Sequence, residues 1–519
     1  MREPLFMPND IMALTNKALN RHLTGKESIG TECDMAQMRK PTKKKTKIVC
    51  TMGPATEDDK VLRKLILEGM NVARFNFSHG SHEYHRRNIE RVRAISRELN
   101  IPVAVMLDTK GPEIRTGELV GHEPVTLESG SSVVVTTRVV QGTSECFMVD
   151  YENLPSELKA GSTILVDDGL IALTVNKTDG HDIYCTVVNG GELGEKKGVN
   201  IPNVEVALPN VTDQDIADIM FGCELGIDAI AASFIRNGEA VEEIRKICAK
   251  SGAPDTMIFS KIESALAVKN FDQILAASDG IMVARGDLGV EMAAQKLPHI
   301  QKTIIRKCND AYKPVITATQ MLDSMIHNPR PTRAEVTDVA NAIYDGTDCV
   351  MLSGETAAGM WPVEAVRTMS DICKETERYL DERHIYHERG GLKNVNSSIG
   401  FAAVTTAERV GAKCILCPTH SGRTARLIST FKPNHPFWAT TPSEVAIRRT
   451  CFNWGCYAFL SQEQPSLMPT LHNAIEVAKA NGVVQTGDIV VLTAGDRVTT
   501  PRDDHYTSST NMLMVAQVD

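Results

Sequence analysis

The 519-residue chain has no run of about 18 apolar residues, so a transmembrane helix is not expected. It has no basic excess either. Its net charge of −9 argues against nucleic-acid binding driven by a basic surface, while leaving room for a local basic cleft. A basic leader is missing too: the first 40 residues carry Glu3, Asp10, Glu27, Glu32 and Asp34, which suits neither a secretory signal nor a transit peptide. The run Lys43, Lys44, Lys45 and Lys47 reads as a lead-in to a first strand. The 13 cysteines are odd in number and follow no framework spacing, so reduced thiols in the cytosol are expected rather than secreted disulfides. Cys414 and Cys417 form a CxxC within KCILCPT, but residues three apart on a strand face opposite ways and do not share a metal. His79, His82 and His85 stand without a companion cysteine or carboxylate cluster, which disfavours zinc.

What is present is an alternation. Apolar runs at 47–53, 72–78, 103–109, 228–235, 257–263, 280–287, 315–321 and 348–355 are separated by amphipathic stretches such as EDDKVLRKLILEG and EAVEEIRKICAKSG. Near-continuous apolar strands alternating with helices indicate a parallel sheet covered on both faces, and eight units imply a (β/α)8 TIM barrel. Residues 112–209 break the rhythm with β-branched runs and turn signals, which reads as an all-β domain inserted after strand three. The domain expectation is therefore a mobile segment over 1–41, barrel over 42–111 and 210–389, the β insert over 112–209, and an open α/β domain over 390–519.

The strands become polar where they end. Arg74, Asn76 and Ser78 end strand two; Asp108, Thr109 and Lys110 end strand three. Lys261 and Glu263 end strand five, Arg285 and Asp287 strand six, Thr319 and Gln320 strand seven, Ser353 and Glu355 strand eight. In TIM barrels that end carries the chemistry. Glu263 and Asp287 come from adjacent strands and suit one hard cation such as Mg²⁺. Lys261, two residues before Glu263, shares its face and suits charge neutralisation on a phosphoryl group in flight. Arg74 and Arg115 add forked donors for phosphate. Asn76, Ser78, Asp108 and Thr109 offer oxygens with one formal charge, a set suited to a monovalent cation.

Through LDTKGPEIR (Leu107 to Arg115), FSKIE (Phe259 to Glu263), VARGDLG (Val283 to Gly289) and further barrel stretches such as KIVCTMGPAT, ARFNFSHG, NPRPTRAE and MLSGETA, the chain resembles the pyruvate kinases, the animal-type enzymes among them. The resemblance spans roughly residues 42–519 and is more specific in the barrel than in the last third. It implies a β-barrel as the inserted domain, a cytoplasmic homotetramer, and transfer of a phosphoryl group from phosphoenolpyruvate to ADP, giving pyruvate and ATP in glycolysis. It further implies Lys261 as the cation on the phosphoryl group and enolate, Glu263 and Asp287 as ligands of Mg²⁺ (or Mn²⁺), and Asn76, Ser78, Asp108 and Thr109 as ligands of K⁺. Arg74 would contact the phosphoryl group. The backbone from Ala284 to Asp287, Gly286 included, would receive the substrate carboxylate with Thr319; Thr319 and Ser353 are assigned to catalysis. Asn76, His79, Arg115 and Lys197 would lie near the nucleotide, and Glu113 matches the K⁺-dependent pattern.

Two departures from the family pattern stand out. Ser264 replaces the asparagine that commonly follows the metal glutamate. The segment Thr419-His420-Ser421-Gly422-Arg423-Thr424 resembles the loop that holds a phosphate of fructose 1,6-bisphosphate in regulated members, and a turn running into a helix N-terminus is a credible anion site. Yet a glycine-rich loop near the end is replaced by a segment carrying Asp496, Asp503 and Asp504, which predicts weak bisphosphate activation. A non-catalytic paralogue and a different phosphoenolpyruvate barrel enzyme are the alternatives. The first would be favoured by loss of Lys261 or a metal carboxylate, and neither is lost; the second leaves the β insert, Arg115 and Lys197 unexplained.

Overall fold

The computed structural model describes residues 44–202, 204, 206–380, 394–495 and 510–519. The expected mobile segment over 1–41 lies outside the described residues. Eight strands form one closed parallel barrel: β1 (Lys47–Thr51), β2 (Val72–Asn76), β3 (Ala104–Asp108), β4 (Ala229–Ala232), β5 (Met257–Ile262), β6 (Gly280–Ala284), β7 (Val315–Ala318) and β8 (Cys349–Leu352). Each pairs with its neighbours in sequence, and β8 closes on β1 through Lys47–Cys349 and Cys50–Leu352.

Both strand faces are buried, which explains the unbroken apolar runs. The inward set includes Val49, Val72, Met106, Phe259, Met282 and Met351. The outward set, among them Ile48, Phe75, Leu107 and Ile258, packs under helices such as Asp59–Glu68, which contributes Leu62, Leu65 and Ile66. That helix starts where Asp58 accepts from Lys60 N and stops at Gly69, whose φ of 119° a side-chain-bearing residue would strain to adopt. The helices Asp213–Glu224 and Arg333–Tyr344 both open on capping boxes, Thr212 with Asp215 and Thr332 with Glu335.

Between β3 and β4 the chain builds a seven-stranded sheet and a two-stranded sheet around a core of its own that includes Val135, Phe147, Leu173 and Ile183. Among the described residues only the eight-stranded sheet closes on itself. The last third forms β9 (Cys414–Pro418), β10 (Phe437–Thr441), β11 (Cys456–Leu460), β12 (Ile489–Ala494) and β13 (Met512–Gln517), in the order β11-β10-β9-β12-β13. All pair in parallel except β13, which runs antiparallel to β12. Cys414 joins the core on one face of this sheet and Cys417 the core on the other, as residues three apart on a strand must.

The C-terminal sheet domain plugs the barrel floor. Phe452 enters the inward core and sits 4.8 Å from the Phe259 ring. Beside it, buried Asp228 accepts from Arg448 Nε at 2.7 Å, Arg93 at 2.8 Å and Val105 N at 2.8 Å. Asp228→Ala would take the buried carboxylate from two arginines, of which Arg93 keeps the Gly226 carbonyl, and leave the Val105 N–H unmet, a loss of about 3 kcal/mol. The expected result is a clear drop in the thermal and urea midpoints. An unchanged midpoint would show that water replaces the carboxylate.

Candidate active site

Side chains alternate along a strand, so the residues that share a face with the barrel's inner apolar layers must also point inward one step higher. On β2, Val72 is followed by Arg74 and Asn76; on β3, Ala104 and Met106 by Asp108; on β5, Met257 and Phe259 by Lys261. Pairing aligns Thr51 with Arg74 and Asn76 with Asp108. The top layer of the barrel interior is therefore polar, and it opens into a cavity of about 930 Å³ whose lining includes Arg74, Asn76, Asp108, Lys261, Glu263 and Asp287. Ser78, His79, Thr109, Lys110, Glu113 and Arg115 line it as well.

Within it, Arg74 Nε donates to Asp108 Oδ2 at 2.6 Å and Arg74 NH1 to Thr51 Oγ1 at 2.9 Å. Lys261 Nζ reaches Asp108 Oδ1 at 3.1 Å, Glu263 Oε1 at 2.9 Å and Ser233 Oγ at 2.9 Å. Burial works against the Lys261 charge, but Asp108 and Glu263 outweigh it and hold its pKa above the usual value. Burial likewise works against ionised Asp108, and Arg74 and Lys261 outweigh it and hold that carboxyl low. Glu263 goes the other way. Burial, with Asp287 adding to it and Lys261 opposing, pushes it up to about 7. Burial raises Asp287 too.

Buried Glu263 and half-buried Asp287 both have raised pKa values, so together they are a donor set short of positive charge, which a hard divalent cation would suit. Among the described residues no group of three or more His, Cys, Asp or Glu forms a ready cage. Mg²⁺ needs none, since it takes one or two carboxylates and fills its shell with water and substrate oxygens. The second oxygen set is different. Asp108 already faces two cations, and Asn76 Oδ1 accepts from Ser78 N at 3.1 Å. With Thr109 these are hard, nearly charge-balanced oxygens, which fit a monovalent ion better than a second divalent one.

Several strand ends differ from the sequence expectation. β6 stops at Ala284, so Arg285 and Asp287 lie in the first turn of the helix Arg285–Glu291 rather than on the strand. Arg285 is turned to Asp338 at 2.7 Å and to the Thr319 carbonyl at 2.7 Å, a supporting role. Glu355 accepts from Leu322 N at 3.0 Å and Ser353 N at 2.7 Å, which ties the ends of β7 and β8 together. Thr319 Oγ1 accepts from Gly286 N at 2.8 Å, placing it beside the turn that holds Asp287. Ser353 stands at the N-cap position of the short helix Gly354–Ala357 without a side-chain cap bond, and it is not part of the cavity lining.

A second cavity of about 600 Å³ adjoins the first on the side of the insert, and its lining includes Arg115, Asp167, Asp168, Lys197, Arg236 and Asp287. Arg115 is paired with Glu113 at 2.5 Å and Lys197 with Asp167 at 2.9 Å. Asp167, Asp168, Lys196 and Phe234, which line the cavities, have φ between 52° and 55°, and Thr319 and Gln320 at the end of β7 have 69° and 53°, all in the left-handed region that side-chain-bearing residues rarely enter. Such strain persists only where the surroundings over-determine it, and it gathers at functional sites. Ser233 was not singled out in the sequence, and the Asp167–Asp168 pair was read only as a turn signal of the insert. A single hydroxyl inside the DAIAASFI run was the one signal for the former.

The remaining candidates have local partners. His82 Nε2 meets Asp218 Oδ1 at 2.6 Å, and His85 Nε2 meets the His79 carbonyl at 2.8 Å while stacking on Phe77, so the three histidines do not converge. Ser264 caps its helix by accepting from Ala267 N at 3.1 Å. In the C-terminal turn, Gly422 N donates to Thr419 Oγ1 at 3.0 Å, Arg423 Nε to Ser421 Oγ at 3.2 Å, and Thr424 Oγ1 pairs with Thr510 Oγ1 at 3.0 Å. The acidic segment with Asp496, Asp503 and Asp504 lies outside the described residues.

A family model described as pyruvate kinase, barrel domain, matches residues 43–366, and one described as pyruvate kinase, alpha/beta domain, matches residues 397–516. Pyruvate kinases of two Staphylococcus aureus strains are each 47% identical over 476 residues, covering 91% of this chain and 80% of theirs. A crystal structure of a pyruvate kinase from Cryptosporidium parvum superposes with a TM-score of 0.87 at 38% identity, covering 95% of this chain and 100% of that one.

Proposed function

The chain belongs to the pyruvate kinase family and transfers the phosphoryl group of phosphoenolpyruvate to ADP, giving pyruvate and ATP, and we propose that it does so in the barrel-top cavity with Mg²⁺ and K⁺. The observation that carries this reading is the largely enclosed Lys261 ammonium held among Asp108, Glu263 and Ser233 in that cavity. Asp108 and Glu263 keep that ammonium charged, the state in which it can stabilise a phosphoryl group in transfer.

In this reading Glu263 and Asp287 hold Mg²⁺, which when bound neutralises charge on the phosphoryl and enolate oxygens. Lys261 and Arg74 aim fixed positive charge at the same oxygens. Gly286, Asp287 and Thr319 position the substrate carboxylate end. Thr319, beside the Gly286 turn, is assigned to the proton delivered to the enolate carbon, and Ser353, outside the cavity lining, takes no step in it. Asn76, His79, Arg115 and Lys197 face the nucleotide. Arg115 and Lys197 would exchange their present partners, Glu113 and Asp167, for phosphate oxygens. A lactate-dehydrogenase-coupled assay with phosphoenolpyruvate, ADP, Mg²⁺ and K⁺ tests the whole reading; no turnover in the folded protein would sink it. The cytoplasm and a homotetramer belong to the same proposal, and the latter is checked by light scattering. Among the described residues no helix is long and apolar enough to cross a membrane.

Asn76, Ser78, Asp108 and Thr109 are assigned to K⁺. K⁺ should then activate strongly and Na⁺ poorly. Glu113→Lys should weaken that dependence, because it removes the carboxylate beside Arg115 and places a fixed ammonium at the cavity edge. Equal turnover with and without K⁺ in the unaltered protein would contradict the assignment.

The turn from Thr419 to Thr424 is proposed to hold at most one phosphate, since its N–H and guanidinium donors are in part already paired internally. Fructose 1,6-bisphosphate at sub-saturating phosphoenolpyruvate should therefore lower the apparent KM little or not at all. A large drop that Arg423→Ala abolishes would show a full effector site.

A further inference from the structure

A lysine ammonium has three N–H groups, and all three of those on Lys261 meet acceptors. Two are the carboxylates of Asp108 and Glu263, at 3.1 Å and 2.9 Å. The third is the Ser233 hydroxyl at 2.9 Å, to which the reading above assigns no role of its own. Ser233 is buried, one residue beyond β4. Its Oγ lies 2.5 Å from the Thr109 carbonyl oxygen and 3.4 Å from Asp108 Oδ1, both of which only accept, and the far shorter contact takes the hydroxyl proton. The oxygen's lone pairs are left to the ammonium. Ser233 N also donates to Thr109 Oγ1 at 3.0 Å, and Thr109 N to the Ala231 carbonyl at 3.1 Å, which sews the ends of β3 and β4 together. On the other side the backbone of Gly111 packs close: a Cβ there would fall 2.8 Å from Ser233 Cβ. The hydroxyl is therefore fixed in position and in polarity.

We propose that Ser233 is a positioning residue that sets the direction of the Lys261 ammonium toward the transferring phosphoryl group. The inference rests on the assignment of Lys261 made under the proposed function. A phosphoryl oxygen that takes an N–H of Lys261 must displace one of the three acceptors. Glu263, assigned to the divalent cation, is the one available for release. Asp108 and Ser233 then remain to hold the head of a flexible four-carbon stem. They are not equivalent. Asp108 subtracts from the positive charge that the reaction uses, whereas the serine oxygen is neutral and supplies direction without cancelling charge. A third carboxylate at this position would hold the ammonium as well and weaken it as an electrophile.

A kinetic double-mutant cycle tests the proposal. Ser233→Ala should lower kcat by about 10- to 100-fold, the range a hydrogen bond to a charged group expresses. The KM for ADP and the Mn²⁺ affinity of the substrate-free protein should stay within about twofold. On a Lys261→Met background the same change should alter kcat by no more than about twofold, because the group it directs is gone. A merely structural role would instead multiply the two losses, or would shift KM and Mn²⁺ affinity with kcat intact, and either result overturns the proposal. Should Ser233→Ala fail to fold, Ser233→Cys keeps the volume with a weak acceptor and enters the same cycle. If Lys261→Met alone leaves turnover unchanged, the assignment of Lys261 falls first, and the role of Ser233 falls with it.

Discussion

Lys261→Met is expected to slow phosphoryl transfer by about 10²–10³-fold or more while the protein stays folded, because one preorganised charge at the reacting group is removed. Methionine keeps the length and apolar contacts of the stem, so the loss is the ammonium alone. The electrostatic consequence for the fold is uneven. Asp108 keeps Arg74 at 2.6 Å and remains a paired carboxylate. Glu263 loses its cationic neighbour but is already raised by burial to about 7, so it takes up a proton and avoids standing as a bare buried charge. The expected picture is a soluble protein with a modest loss of thermal midpoint and a severe loss of kcat. Circular dichroism, the thermal midpoint and the coupled assay read the two effects separately. A folded variant with near-native turnover would remove Lys261 from the reaction.

The barrel was legible because its signals are local and repeated: eight apolar runs, each long enough for a strand, each followed by a helix pattern. The candidate site was legible where strand periodicity holds. Lys261 faces inward because Phe259 and Met257 do, and Asp108 because Met106 does. Asp287 was found by composition and placed wrongly, since the chain turns into a helix at Arg285 and nothing in GIMVARGD marks that change from period 2 to 3.6. Arg285 and Glu355 looked like site residues for the same reason that Lys261 did. Their side chains instead tie down the backbone around Thr319 and Leu322, and that is fixed by tertiary partners distant in sequence. Ser233 was passed over because a single hydroxyl in an apolar run carries no pattern. Its importance comes from two other strands, and no one-dimensional reading places it against both. Asp167 and Asp168 read as a turn in the insert, and the structure keeps them in one, with both φ values positive, yet at the edge of the second cavity.

Glu263→Gln should weaken metal binding, and the sign of that change sets it apart from the lysine variant. Loss of an outer partner of a metal ligand already costs about 10–100-fold in affinity, so removing the charge of a ligand should cost at least about that much. The amide oxygen still accepts from Phe234 N, which the carboxylate does at 2.5 Å, so the backbone at its strained φ of 52° keeps its support. Lys261 loses an ionic partner but retains Asp108 and Ser233. The ammonium at 2.9 Å from Glu263 Oε1 competes with any cation for that oxygen. Lys261→Met removes the competitor and, measured at a pH high enough to ionise Glu263, should bind Mn²⁺ in the absence of substrates at least as tightly as the unaltered protein, while being nearly inactive. Glu263→Gln should bind it weakly and regain part of its turnover as the metal concentration is raised. Titration calorimetry or Mn²⁺ relaxation on the substrate-free proteins reads the two signs directly. Should both variants bind the metal equally well, Glu263 does not hold it, and the ion pair with Lys261 serves only to keep the lysine in place.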